Sequence, residues 1–416
     1  MKHFEYFSTL LPQMVGAKEG AVAPEIVPSA AFGYASAQEA EEIFAGEVAK
    51  PFYARMGNPT GARLEKVLAK MEGGAGSVVT ASGMGAISMV LGAFCEKGDR
   101  VLCVGGFFGG TYALVNETLP RFGVEPLFCE VDAYDRIEGM LRDGVRALLV
   151  ESVGNPNLKL PDIRRLALLC NEYDTLFVVD NTLTPLIVQP LKMGADIVVY
   201  STTKIISGHS AALGGAAVFR SVAEEGDKLS GAKYSTLHPL LKKGHGAIGA
   251  ILKKRAMRDF GMSANAFGSF LTLLGLETLP LRTRRVNESV EKVAQLLHAE
   301  KVKVRHPSLE SHEHHLRYEA LFESGCGPLL TVECGTKERA FAFLNASKLL
   351  TQTANVGDNR TLGLHMASTI YRDFDELDRK ILGITDGLVR ISVGLESPVA
   401  IAEDLLNAWR SAMKVA

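Results

Sequence analysis

The fold of this chain is indicated by two short segments, VVDNT at 178–182 and YSTTK at 200–204. Each follows or completes an apolar run of strand length and ends in polar residues. Asp180 closes the first run, and Lys204 follows the second after several hydroxyl side chains. Such runs are typical of buried strands in a parallel sheet, where ligands bind beyond the carboxyl ends of the strands. Glu151, Asp180 and Ser201 each fall just past the end of such a run, so we expect them to lie together at one edge of a sheet, with Lys204 close by.

The same alternation extends on both sides of these segments. Apolar strands are predicted at 100–104, 147–151, 175–179 and 197–200, and helices at 62–71, 84–94, 111–122 and 163–173. Short apolar strands that alternate with helices predict an α/β fold with a mostly parallel sheet, covered on both faces.

The pattern of predicted helices and strands changes beyond about residue 250. Residues 266–295 have a strongly helical pattern, 329–334 and 388–393 are predicted strands, and 400–413 is a predicted closing helix. We expect a larger domain at 61–255 and a smaller C-terminal α+β domain at 256–416. Residues 1–60 are predicted to be irregular, because prolines interrupt any long helix there. These are Pro24, Pro28, Pro51 and Pro59.

Composition excludes several classes of function. The 416 residues are 47% hydrophobic and 22% charged, and the net charge of −2 provides no global field for nucleic acid or an anionic membrane. No apolar run approaches the roughly 20 residues needed to span a bilayer, and residues 1–20 lack the layout of a signal peptide. Six scattered cysteines without a Cys-x-x-Cys pair are typical of reduced thiols. We expect a cytoplasmic protein with neither nucleic-acid nor membrane partners.

A cluster of histidines raises the question of a metal site. His312, His314 and His315 lie in the polar segment 308–317, without a neighbouring cysteine or second motif. A solvated loop is the expected structure, and no metal is expected.

The residue types at the predicted sheet edge match the needs of pyridoxal phosphate. This cofactor requires a lysine amine that forms a Schiff base, an acid that holds a proton on the ring nitrogen, and small donors for the phosphate. Lys204 and Asp180 supply the first two. The segment ASGMGA at 81–86 supplies the third, since glycine lets backbone N–H groups approach an anion at a helix N-terminus.

A dinucleotide site is the main alternative for the glycine-rich region. The segment EGGAG at 72–76 does not follow an apolar strand, and no acid stands where a ribose partner is expected. A nicotinamide cofactor is therefore disfavoured. Outside this region, Arg390 interrupts the apolar strand at 388–393, where its guanidinium matches a substrate carboxylate. Tyr53 and Arg55, in YARMGNPT at 53–60, are suitable phosphate ligands.

These segments together resemble the cysteine and methionine metabolism family of pyridoxal-phosphate enzymes, over about residues 52–396. The resemblance implies a type I fold like that of aspartate aminotransferase. It also implies a homo-oligomer, at least a dimer and usually a tetramer, in which the arm 1–60 contributes to the neighbouring subunit's site. Small amino acids are the implied substrates.

The resemblance also assigns a role to each quoted residue. Lys204 would carry the cofactor, Asp180 would pair with the ring nitrogen, and Asn155 would bind the ring hydroxyl. The phosphate would be bound within the subunit by Gly83, Met84, Ser201 and Thr203, and from the neighbour by Tyr53 and Arg55. Arg390 and Asn355 would bind the substrate. The predicted catalytic residues are Lys204, Asp180 and Tyr53.

The segment ANVGDNRTL at 354–362 resembles the substrate loop of the O-acetylhomoserine sulfhydrylases in this family. It implies γ-replacement on an O-acylated homoserine by a sulfur nucleophile, which gives homocysteine for methionine biosynthesis. Two alternatives remain open. One is elimination of the kind performed by methionine and cystathionine γ-lyases. The other is an enzyme that takes sulfur from the thiocarboxylate of a carrier protein.

The chain departs from the family at Phe108, where the usual residue is a tyrosine that stacks on the cofactor and moves protons. Phe108 can keep the stacking but cannot exchange a proton. Either another group does that work, Tyr53 of a neighbouring subunit or Lys204 itself, or the rate with simple substrates is low. Met366 and Tyr371 also replace residues that are usual in the family.

Overall fold

The computed structural model describes residues 2–16, 20–223, 226–322, 325–376, 379 and 382–415. The larger of its two sheets has seven strands. They are β1 (Gly76–Thr80), β2 (Arg100–Val104), β3 (Glu125–Cys129), β4 (Ala147–Glu151), β5 (Leu176–Asp180), β6 (Ile197–Tyr200) and β7 (Gly215–Phe219).

The strand order in this sheet is β1-β7-β6-β5-β4-β2-β3. The pairs from β6 through β3 are all parallel, and only β7 runs antiparallel to its neighbours β1 and β6. Both faces of the sheet are buried: Leu148 and Val150 pack into one apolar core, and Ala147 and Leu149 pack into another. The predicted mostly parallel α/β sheet is confirmed.

The smaller sheet has five strands in the order β10-β11-β12-β9-β8. Their bounds are β8 (Val304–Arg305), β9 (Leu329–Glu333), β10 (Thr351–Gln352), β11 (Leu362–His365) and β12 (Leu388–Ser392). Pairing is antiparallel except between β10 and β11. The long helix Leu279–Ala299 and the closing helix Pro398–Ala412 share a core with this sheet.

Helices flank both sheets. The described α-helices of seven or more residues are Lys2–Val15, Ala37–Ala45, Pro59–Glu72, Gly83–Phe94, Tyr134–Arg142, Ile163–Glu172, Ala266–Glu277, Leu279–Ala299, His315–Leu321, Lys337–Ala346 and Pro398–Ala412. Shorter α-helices are Gly109–Ala113, His238–Leu241, Ala247–Leu252 and Arg258–Phe260. Among the described residues, no helix is both long and apolar enough to cross a membrane.

The prediction of an irregular N-terminal segment was wrong in two places. Helices form at Lys2–Val15 and Ala37–Ala45, and the first contains Pro12. Phe4, Phe7 and Leu11 recur at helical spacing and are buried in the main core. Tertiary burial of this apolar face outweighs the weak local signal for a helix.

The prediction of a solvated histidine loop was also wrong. His312 and His314 are buried, although the segment around them is a series of turns. The ring of His314 accepts the N–H of Leu160 at 2.8 Å through Nδ1, and its Nε2 lies 2.8 Å from a carboxylate oxygen of Asp132. His314 therefore joins the C-terminal part of the chain to the part that contains the large sheet. The described residues contain no group of three or more His, Cys, Asp or Glu side chains suited to a metal ion.

Candidate active site

The carboxyl ends of β4, β5 and β6 meet at one edge of the large sheet, as the sequence predicted. Glu151 and Asp180 are direct partners in the β4–β5 register. Beyond β6, the N–H of Ser201 donates to the Thr182 hydroxyl at 2.8 Å, which ties the two strand ends together. A cavity of about 220 Å³ opens at this edge.

Nine of the predicted site residues line this cavity. They are Gly83, Met84, Phe108, Asn155, Asp180, Ser201, Thr203, Lys204 and Arg390. They come from both parts of the chain, because Arg390 lies on β12 of the smaller sheet. The cavity therefore lies between the loops at the edge of the large sheet and β12, the central strand of the smaller sheet.

Lys204 lies in a turn beyond β6 and is partly buried. Burial and the positive charge of Arg390 lower the pKa of Lys204 to about 8. Its Nζ donates to Oδ1 of Asn355 at 2.6 Å. A lysine with a lowered pKa holds a larger share of the neutral amine, the form that attacks a carbonyl carbon. Asn355, predicted to bind substrate, therefore contacts the lysine directly.

Two buried carboxylates lie side by side at the strand ends. Burial, together with the charge of Asp180, raises the pKa of Glu151 well above its usual value. Its Oε1 accepts the Phe108 N–H at 2.8 Å, and its Oε2 accepts the Asn155 N–H at 2.9 Å. The sequence pointed to Glu151 only as a strand end. The structure shows that it holds the two predicted residues Phe108 and Asn155 in place.

Asp180 has fewer partners than Glu151. Burial raises its pKa, and hydrogen bonds from Thr182, including one from the N–H at 3.0 Å, partly oppose this shift. A buried carboxylate without a cation gains stability from a positively charged partner. The protonated ring nitrogen of pyridoxal phosphate is a cation of this kind, so Asp180 fits the predicted role.

The start of the helix Gly83–Phe94 forms a cradle for an anion. Ser82 caps this helix by accepting the Gly85 N–H at 3.0 Å. A Cβ at Gly83 would lie 2.5 Å from the Cβ of Ser201, so only glycine allows this approach. The Thr203 hydroxyl already donates to the Gly214 carbonyl at 3.1 Å, whereas the Ser201 side chain lines the cavity beside the helix start. The cradle fits a phosphate, with Ser201 the better placed of the two hydroxyl donors.

Arg390 is a buried guanidinium that faces the cavity. Its Nη1 donates to Oδ1 of Asn155 at 3.0 Å, and its Nη2 donates to the Asn355 carbonyl at 3.3 Å. No carboxylate of the described residues forms an ion pair with it, and burial lowers its pKa to about 10. A buried guanidinium held only by neutral oxygens is suited to the carboxylate of a bound molecule.

The Phe108 ring lines the cavity and brings no hydroxyl to it. Tyr371 does not replace that hydroxyl, although it lies nearby. Its hydroxyl is buried, 3.0 Å from the Phe107 carbonyl and 3.1 Å from the Asn155 carbonyl. This tyrosine therefore supports the backbone behind Phe108 rather than the cavity.

Tyr53 and Arg55 are absent from the lining of this subunit's cavity. Both are exposed, and the Arg55 guanidinium lies 5.4 Å from the centre of the Tyr53 ring. Their predicted place in a neighbouring subunit's site stays a prediction.

Comparison with known proteins gives a family match over most of the chain. The model for Cys/Met metabolism PLP-dependent enzymes matches residues 11–410. An O-acetyl-L-homoserine sulfhydrylase of Thermus thermophilus is 34% identical, with 92% of this chain and 94% of that protein aligned. An L-methionine gamma-lyase of Fusobacterium nucleatum subsp. polymorphum is also 34% identical, with 93% of each aligned.

A solved structure agrees with the fold. A Campylobacter jejuni protein superposes with a TM-score of 0.87 at 28% identity, over 96% of this chain and all of that one. That structure contains N'-pyridoxyl-lysine-5'-monophosphate. The predicted type I fold and the predicted pyridoxal phosphate cofactor are confirmed.

Proposed function

Because this chain belongs to the family of Cys/Met metabolism PLP-dependent enzymes, we propose that it replaces the γ-substituent of an O-acylated homoserine with sulfur. The substrate is O-acetylhomoserine, and with sulfide the products are homocysteine and acetate. The observation that carries this proposal is the cavity itself. It holds an amine of lowered pKa, a buried acid and a guanidinium whose hydrogen bonds, among the described residues, all go to neutral oxygens.

The roles of the residues follow from their contacts. Arg390 binds the α-carboxylate of the substrate through its guanidinium fork. Lys204 removes the proton from Cα and returns it, since its neutral amine is available near neutral pH. Asp180 holds a proton on the ring nitrogen of the cofactor. When bound, pyridoxal phosphate supplies an electron sink for the charge that develops at Cα.

The loop that contains Asn355 favours replacement over elimination by its sequence, ANVGDNRTL at 354–362, which resembles the substrate loop of the sulfhydrylases. The Asn355 side chain contacts Lys204 and its carbonyl accepts from Arg390, so this loop reaches both the base and the carboxylate site, as either reaction requires. The sulfhydrylase named among the relatives also favours replacement. The γ-lyase at equal identity favours elimination as the second candidate.

The products distinguish these two reactions. Purified protein is incubated with O-acetylhomoserine, with and without sulfide, and the products are identified by mass spectrometry. Homocysteine that forms only with sulfide supports replacement. Ammonia and 2-oxobutyrate as the main products would instead establish elimination. Free sulfide that supports no turnover would favour the third hypothesis, a carrier protein that delivers the sulfur.

We also propose that Tyr53 and Arg55 complete the site of a neighbouring subunit. Both lie outside their own cavity and are exposed. Mixing the inactive variants Lys204→Ala and Arg55→Ala tests this. Each mixed dimer would contain one site with both native residues, so about a quarter of wild-type activity returns for random pairing of C₂ dimers. No recovery after refolding the two together would place Arg55 in its own subunit's site.

A further inference from the structure

A chain of hydrogen bonds leads away from the Lys204 amine, out of the cavity. Nζ donates to Oδ1 of Asn355 at 2.6 Å, and Nδ2 of Asn355 donates to the Ser210 hydroxyl at 2.8 Å. The Ser210 hydroxyl in turn donates to the carboxylate of Asp358. Ser210 and Asp358 do not line the cavity, so any effect they have on Lys204 passes through Asn355.

The direction of these hydrogen bonds is set by the carboxylate of Asp358 at the far end of the series. An ionised carboxylate only accepts hydrogen bonds, so the proton of Ser210 must point at Asp358. The Ser210 oxygen then has only lone pairs for Asn355, and must receive its NH₂ group. An amide has nearly the same shape in both orientations. Here the charge at Asp358 decides that the amide oxygen, rather than the nitrogen, faces Lys204.

The carboxylate of Asp358 is held in its ionised form. Its side chain is fully buried, and the Arg360 Nε donates to its Oδ1 at 2.7 Å. Burial alone would raise the pKa of Asp358, but hydrogen bonds from Arg360 and Ser210 outweigh burial and lower it. Asp358 therefore remains an acceptor throughout the neutral range.

The backbone at Ser210 is in an uncommon conformation. Ser210 has a φ of +53°, a left-handed conformation that is uncommon outside glycine. The neighbouring Gly208 carbonyl accepts the Asn359 N–H at 3.0 Å, which joins the two loops. Ser210 places a side chain at a position where glycine would relieve strain. Its hydroxyl is the group that links Asn355 to Asp358.

We propose that Asp358 and Ser210 are positioning residues, which orient the Asn355 amide so that its oxygen holds the Lys204 amine for proton transfer. This inference rests on the proposed role of Lys204 as the base. If the amide were reversed, its NH₂ group would face the amine. Two donors would then oppose each other, and the protonated form of Lys204 would lose its acceptor.

The first test is Asp358→Asn. Oδ1 accepts two N–H groups of Arg360, that of the backbone and Nε, whereas Oδ2 accepts only Nη2 of Arg360, at 3.1 Å, besides Ser210. The two donors would keep the amide oxygen at Oδ1, which leaves the new NH₂ group facing Ser210. The donors and acceptors along the hydrogen bonds from Asp358 to Lys204 would then be reversed. We expect kcat to fall about 10- to 100-fold, since a misplaced catalytic group has a cost of this order. KM should change much less, because Arg390 is untouched.

The pH profile separates positioning from a merely structural role. The other charged groups that share the cavity with Lys204 are Arg390, Asp180 and Glu151, and none is altered in the variant. Loss of the acceptor disfavours the ammonium form. The acidic limb of the kcat profile should therefore move to lower pH, by about half a unit or more. The pH midpoint of the visible absorbance of the holoenzyme should also be displaced.

A second variant keeps the proposal testable if Asp358→Asn fails to fold. Ser210→Gly suits the left-handed backbone and removes only the hydroxyl. We expect a smaller loss of kcat, about 3- to 10-fold, because the Asn355 amide then samples both orientations. The absorbance midpoint should shift as well.

Asp404→Asn is the matched control. Asp404 also accepts from a serine hydroxyl, that of Ser347, and from the Lys348 N–H, but it lies outside the cavity. Its kcat, pH limb and absorbance midpoint should equal those of wild type. Ser210→Gly with wild-type kcat and pH limb would overturn the inference. Both readouts apply to any amino acid that the enzyme turns over, so elimination in place of replacement would leave this test intact.

Discussion

Two groups of residues reach the cavity from different sides, and they differ in how their polar atoms are used. The Lys204 group consists of Lys204, Asn355, Ser210 and Asp358. The Phe108 group consists of Phe108, Glu151, Asn155 and Tyr371. In the first group a titratable amine faces the cavity. In the second, the side chains of Glu151 and Tyr371 bind the chain's own backbone.

This difference assigns the two groups different tasks. Both oxygens of Glu151 accept backbone N–H groups, and the Tyr371 hydroxyl lies between two carbonyls. These contacts rigidify the support behind Phe108 without presenting a mobile proton. The Lys204 amine, with its pKa of about 8, can exchange one. In the proposed mechanism, Lys204 therefore carries the acid–base chemistry, and the Phe108 group shapes the cavity.

The largest expected effect comes from removing the amine. Lys204→Ala should lower kcat about 10⁴-fold or more and abolish the visible absorbance of the bound cofactor, because we propose that this lysine both carries the cofactor and moves the proton. The absorbance spectrum and steady-state rates measure this. Lys66→Ala, at an exposed position, serves as the control and should resemble wild type. A Lys204→Ala protein with an unchanged spectrum would refute the assignment of the lysine.

Arg390 connects the two groups, since it contacts Asn155 on one side and the Asn355 carbonyl on the other. Arg390→Lys keeps the charge but loses the planar guanidinium fork. Either the Asn155 side chain or the Asn355 carbonyl then loses its hydrogen-bond donor. We expect kcat/KM to fall about 10²- to 10³-fold, mostly through KM. Kinetics with the amino-acid substrate measure the loss. An effect confined to kcat would show that Arg390 supports the base rather than the carboxylate.

Sequence reasoning could find some residues of the site but not the contacts that hold them. Asp180 and Lys204 were predictable because short buried strands place the residues that follow them at a common edge. The link between Ser210 and Asp358 joins loops that are 148 residues apart, and no local pattern encodes it. The same holds for His314 and Asp132, which are 182 residues apart. Packing of the two sheets creates these contacts, so a periodic pattern could not reveal them.

The pKa of Lys204 predicts how the cofactor is taken up. Only the neutral amine attacks the aldehyde of pyridoxal phosphate, and burial lowers the pKa from 10.5 to about 8. The uptake rate of cofactor-free protein should rise about tenfold per pH unit below this value and level off above pH 8. Growth of the visible absorbance follows the reaction. Free Nα-acetyl-lysine, as the control, should level off only near its ordinary pKa. A plateau for the protein at that higher pH would show that Lys204 is not desolvated.

The smallest effect is expected from the variant that most directly removes the difference between the two groups. Phe108→Tyr adds a hydroxyl to the ring that lines the cavity, where the Phe108 group otherwise brings no mobile proton. We expect kcat to rise only about two- to fivefold, well below the 10²- to 10⁴-fold typical of an essential acid or base, because in the proposed mechanism Lys204 already moves the proton.

Tyr371→Phe is the matched control for this change, since it alters a hydroxyl that is buried behind Phe108 and outside the cavity lining. It should leave the pH profile of turnover unchanged while lowering stability by about 1 kcal/mol, because two buried carbonyls lose a shared donor. If Phe108→Tyr instead accelerated turnover by about two orders of magnitude, the size of a full acid–base contribution, proton transfer would limit the native enzyme. The native site would then lack a second proton-transfer group beside Lys204. No change in any rate constant would place position 108 outside proton transfer altogether, leaving its ring to shape the cavity.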